Sequence, residues 1–131
     1  MRTFFDRYID LRMAIAGAFV MGTVVWWINR DHGPMMASLA ALKQGAYTFF
    51  FGGFVTKTCE RLAVEIDPAA LALTLATLLP GGFAIGATLL VHHMRGTPEP
   101  FASAVPTILM APPSLLILGW LHRRRSRGLR R

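Results

Sequence analysis

Four apolar runs, each close to the length that crosses a lipid hydrocarbon core, leave this 131-residue sequence few ways to fold. They cover residues 13–28, 35–55, 69–91 and 101–121. A core of about 30 Å takes ~20 helical residues, and Tyr8, Ile9 and Leu11 lengthen the short first run. In lipid every backbone N–H and C=O needs an internal partner, which leaves helices as the open option for such runs. The composition agrees. At 53% hydrophobic and 16% charged, with mean hydropathy +0.44, the chain has more apolar surface than a soluble domain of this size can hide. One cysteine, Cys59, excludes a disulfide-stapled module, and neither a glycine period nor a polar tract supports collagen or disorder. The expectation is an all-α integral membrane protein, a single domain of four transmembrane helices in a small bundle.

The boundaries carry helix chemistry. Asp67-Pro68 sets a capping carboxylate before a proline, and Gly33-Pro34 and Thr97-Pro98 punctuate the starts of the second and fourth runs. Trp26, Trp27 and Trp120 fall at helix ends, where amphipathic rings favour the headgroup layer. Residues 1–12 alternate Phe4, Phe5, Tyr8 and Ile9 with Asp6, Arg7 and Asp10, the pattern of an interfacial segment.

Orientation follows from the cations. Arg2, Arg7 and Arg12, then Lys57 and Arg61, then the six arginines of residues 122–131 lie on one side; only Arg30 and Arg95 lie on the other. Both termini are therefore expected in the cytoplasm. Trp26-Trp27-Ile28-Asn29-Arg30 offers no signal-peptide cleavage site, and a bacterial inner membrane is the expected address. Residues 17–22 resemble residues 81–86, and Pro34 falls on Pro98 at the same offset, so two tandem helix-pair repeats are one reading. Chance similarity between small-residue helices is the other.

Lys43 and Gln44 are the most informative residues for function. Lys43 lies nine residues past Pro34, roughly 13 Å into the second run. A cation at the bilayer centre costs about 2.5–3.5 kcal/mol on insertion scales, so it needs a cavity, a partner or a path to the interface. Gln44, Thr48, Gly52, Thr56 and Glu60 recur every four residues, a line that drifts by about 40° per step around an α-helix. In the third run Thr74, Thr77, Gly81, Ala84, Thr88 and His92 share one sector and leucines another. The polar sector serves either packing or a conduit between the second and third helices. Lys43, Gln44, Tyr47, Thr48, Thr74, Thr77 and Thr88 are the candidate contact residues for a substrate or partner.

Pro80-Gly81-Gly82 in the third run, and Pro106 with Pro112 and Pro113 in the fourth, predict kinks or a broken helix at a central cavity. Ala14, Ala18 and Gly22, and Gly82 with Gly86, mark close helix contact within or between chains. Arg123, Arg124, Arg125 and Arg127 are expected to contact anionic lipid at the cytoplasmic face rather than nucleic acid, since no aromatic platform accompanies them. His92 and His93 diverge by about 100° and no thiolate or carboxylate joins them at ligand spacing, so neither metal nor cofactor is expected. No nucleophile-base pair or phosphate loop points to an enzyme. Two functions remain: a noncatalytic subunit or scaffold of a larger membrane assembly or homo-oligomer, or an oligomeric transporter for an anionic or amphipathic solute.

Overall fold

In the computed structural model of the chain, residues 10–128 are described; the structure is 92% helical, with no strand among them. Helix α1 (Leu11–Asn29) ends in a 3-10 turn (Arg30–His32). Helix α2 (Pro34–Tyr47) passes through a π-helical turn (Thr48–Gly52) into α3 (Gly53–Glu65), so residues 34–65 form one rod. Helices α4 (Ala69–Met94) and α5 (Pro100–Gly128) complete the bundle. The interfacial segment expected over residues 1–12 lies mostly outside the described residues. Its end does not form a separate element: Asp10 caps α1, its carboxylate accepting from Met13 N at 3.1 Å, and Leu11 and Arg12 belong to that helix. The basic stretch after Leu121, expected as a tail, continues α5 as helix to Gly128.

Three stretches are long and apolar enough to cross a membrane: Leu11–His32, Ala69–Met94 and Pro100–Gly128. The rod of residues 34–65, expected to supply a span, is not among them. It is the central element, packed against α1, α4 and α5. Its polar groups find partners inside the bundle: Gln44 meets His92 of α4, and Lys57 pairs with Glu60 one turn along the rod.

Small residues set the close crossings. A Cβ on Gly22 would stand 3.3 Å from the Ala41 carbonyl oxygen, and one on Gly17 would stand 3.1 Å from Thr48 Cγ2. The stripe of Ala14, Ala18 and Gly22 therefore seats α1 on α2. Gly119 does the same for α5 on α3, with Ala63 Cβ 3.3 Å from its hypothetical Cβ. Nothing lies within 4 Å of the corresponding positions at Gly82 and Gly86, so that pair faces away from the chain's own helices.

The prolines do not break their helices. Backbone α-helix runs through Pro80 in α4 and through Pro106, Pro112 and Pro113 in α5. The interruption lies instead at Thr48–Gly52, where no proline occurs. A turn closed by i→i+5 bonds holds more residues than an α-turn, so it reverses the drift of a four-residue spacing. Gln44, Thr48, Gly52 and Thr56 consequently stay on one side of the rod, where an unbroken α-helix would wind them around it.

Candidate functional site

Two features bring the interior polar residues together: a hydrogen-bonded seam between α2 and α4, and a cleft between α1 and α5. The seam starts where α4 stops. Arg95 caps that helix, and Gly96 follows at φ +61°, the left-handed turn that glycine takes without strain. Thr97 N then donates to His92 O at 3.2 Å, closing the helix end in a Schellman-type turn that lays Thr97 over His92.

His92 is fully buried and engaged at both ring nitrogens. Its Nδ1 is 2.9 Å from Thr97 Oγ1, and its Nε2 is 2.8 Å from Gln44 Oε1. Gln44 Nε2 donates to Thr48 Oγ1 at 3.0 Å, so its Oε1 faces the ring and can only accept. With its proton on Nε2, His92 donates to Gln44 and accepts from the Thr97 hydroxyl at Nδ1. One turn deeper, Tyr47 Oη donates to Ala84 O at 2.7 Å. These bonds fasten α2 to α4.

Lys43 is half-buried beside this seam, and its Nζ donates to Arg95 O at 2.7 Å. It satisfies a carbonyl at the C-terminus of α4, where the helix dipole favours a cation. The end of α4 beside it gives a partner to a lysine nine residues along α2 from Pro34. Lys43→Met is expected to lower stability by about 1 kcal/mol while leaving the fold intact. Thermal unfolding in detergent checks this; an unchanged or raised midpoint would mean the cap contributes nothing.

A second staple joins the two halves near the same end. Asn29 Nδ2 donates to Ser103 Oγ at 2.9 Å, and Glu99 N donates to Asn29 Oδ1 at 3.3 Å. The end of α1 thus holds the start of α5, as the end of α4 holds α2. Away from this staple α1 and α5 part, opening a cleft of about 340 Å³ floored by the π-helical turn. Gln44, Tyr47, Thr48, Thr56, Thr107 and Ser114 supply its polar groups, methionines and small residues most of the rest, and no charged side chain lines it. The Thr107 hydroxyl is buried without a partner.

Of the residues singled out in sequence, Gln44, Tyr47 and Thr48 line the cleft, and Lys43 lies outside it. Thr88 is buried on α4 and Thr77 partly so, whereas Thr74 is exposed, apart from the sector it was grouped with. Pro80 and Gly81 are buried, and Gly82, Pro112 and Pro113 lie outward or at the margin.

The arginine-rich end needs one correction. Arg124, Arg125 and Arg127 are exposed, with Arg124 stacked over Trp120 at 5.4 Å, but Arg123 is buried. Its guanidinium donates to Ala63 O, Ile66 O and Asp67 Oδ1, each at 2.6 Å. It closes the C-terminus of α3 instead of meeting lipid. Asp67, expected to cap α4, makes no such bond and pairs with Arg123 and, at 3.4 Å, with Arg127.

The sequence reading missed Asn29, His92's role and Thr97. The signal available was a polar residue one turn from a helix end beside Gly96-Thr97-Pro98. Among the described residues, no three His, Cys, Asp or Glu side chains stand together as a metal site. Cys59 is buried and donates to Leu115 O at 3.2 Å. Comparison with protein families, with curated proteins and with solved structures finds no match for this chain.

Proposed function

We propose that the chain is a four-span integral membrane protein with both termini in the cytoplasm, serving as a noncatalytic subunit or scaffold of a larger assembly. The rod of residues 34–65 supplies the fourth span, its polar groups shielded by the three apolar helices. The arginine and lysine asymmetry supports the orientation, and a bacterial inner membrane fits it. The reciprocal staples, Asn29 to Ser103 and His92 to Gln44, support a pair of tandem helix hairpins.

The observation that carries the subunit reading is the open glycine face of α4. Gly82 and Gly86 have free space at their Cβ positions, and Leu79, Phe83 and Leu90 stand exposed around them. A small-xxx-small face lets two membrane helices approach closely, and no helix among the described residues uses it. Either a second copy or a different membrane chain fits there. The full-length Gly82→Cys variant, oxidised in isolated membranes, should form a cross-linked species, since the native Cys59 is buried. Gly86→Ile should reduce that product at least tenfold. A Gly82→Cys chain that stays uncross-linked and migrates as a monomer would remove the subunit reading.

A second reading, transport of an amphipathic or anionic solute, draws support from the cleft and its lining by Gln44, Tyr47 and Thr48. Water access to Thr48 from both membrane faces would favour it.

A further inference from the structure

We propose that the α1–α5 cleft is a binding site for one acyl chain of an anionic phospholipid, with the headgroup beside Arg12. The inference rests on the membrane-spanning reading and is independent of the subunit reading.

Size selects the occupant. One turn of an α-helix about 10 Å across fills roughly 420 Å³. The cleft, about 340 Å³ and open along one side, is a narrow groove that a slender flexible chain fills more completely than a helix backbone does. A chain carbon is about the size of a water molecule, ~30 Å³, so the volume takes roughly eleven carbons of a flexible chain. Its α1 wall runs from Met13 to Met21, about 12 Å of helix axis, a matching length.

The walls suit such a guest. Met13, Met21 and Met110 are unbranched and adjust to a chain of variable shape, and Gly17, Gly52 and Ala111 leave room between them. The absence of charge along the cleft fits a hydrocarbon tail.

The mouth supplies the complementary charge. Arg12 precedes Met13 at the arginine-rich end, is exposed, and has no ion-pair partner among the described residues. The neighbouring groups are already engaged: Asp10 caps α1, and Lys57, next to the cleft residue Thr56, pairs with Glu60 at 2.9 Å. A guanidinium at this position can hold a phosphate in bidentate fashion while the tail lies in the cleft.

The test uses the full-length chain after a carbonate wash of membranes, purified in detergent and offered palmitoyl-oleoyl phosphatidylglycerol or phosphatidylcholine. Native mass spectrometry should show one retained phosphatidylglycerol per chain, at least fivefold over phosphatidylcholine. Arg12→Gln should bring the two lipids within twofold of each other. Filling the cleft with Ala111→Phe should cut retention at least fivefold, whereas Leu79→Phe on the outer face of α4 should not.

Photolabelling needs no variant: a phosphatidylglycerol with a mid-chain diazirine should mark peptides spanning residues 13–21 and 110–115. Labels spread equally over Leu71, Leu78 and Leu90 would overturn the site, as would equal retention in Ala111→Phe. If Ala111→Phe instead abolishes a protein–protein cross-link and leaves lipid unchanged, the cleft holds protein and the proposal fails. A chain released by carbonate overturns both this site and the membrane reading; an integral chain that retains no lipid overturns this site alone.

Discussion

His92→Ala is expected to cost about 3 kcal/mol of stability, the largest effect of any single substitution in the seam. The ring is fully buried and bonds Gln44 and Thr97, both of them buried as well. Its removal leaves a carbonyl and a hydroxyl unpaired away from water, at about 1–3 kcal/mol for each such group, and opens a cavity besides. Interhelical hydrogen bonds in membranes sit low in that range, because the separated helices also find partners. Gln44→Leu should remove the same interhelical bond from the other side. The double variant should therefore fall short of the sum of the two by at least 1 kcal/mol. Unfolding of the purified chain in mixed micelles measures all three. Additivity within about 0.5 kcal/mol would mean that the two side chains do not act as a unit.

Arg123→Ala should cost about 2–4 kcal/mol, where Arg124→Ala and Arg125→Ala change stability by less than about 0.5 kcal/mol. The difference follows from position. Arg123 is buried and supplies donors to two carbonyls at the end of α3, groups that the helix itself leaves orphaned. Its bond to Asp67 adds little, because that carboxylate is 86% exposed and screened by solvent. Arg123→Lys should recover only part of the loss, since one ammonium cannot reproduce a planar fork aimed at three oxygens. Thermal unfolding of the four variants decides the point. Equal loss at Arg123, Arg124 and Arg125 would show that the basic cluster acts through net charge rather than through this contact.

The helical character of the chain followed from sequence alone. Apolar runs of about 20 residues read as helices because a span of that length must satisfy its backbone within itself. The start of α2 was legible at Pro34, and that of α5 was read at Thr97-Pro98, two residues before its first helical residue, Pro100, because proline and glycine act on the local backbone whatever surrounds them. Gln44 was singled out as well, and the structure places it in the seam, bonded to His92 and Thr48.

Local pattern could not decide partners. Nothing near Lys43 in sequence indicates that α4 ends beside it, because Arg95 is brought there by the packing of two helices. The same holds for Arg123, whose neighbours along the chain are arginines that face solvent while it reaches back to Ala63 and Ile66. Asp67 and Pro68 read as a cap, yet the helix begins at Ala69 with Pro68 in the cap position, which leaves Asp67 one residue outside it and beside Arg123. The π-helical turn at Thr48–Gly52 also has no local breaker to announce it. Residue types and their spacing thus determined which segments are helices and which side chains need partners. Which partner each one found, and where the cleft opened, was decided by helix packing, since those contacts join residues far apart along the chain.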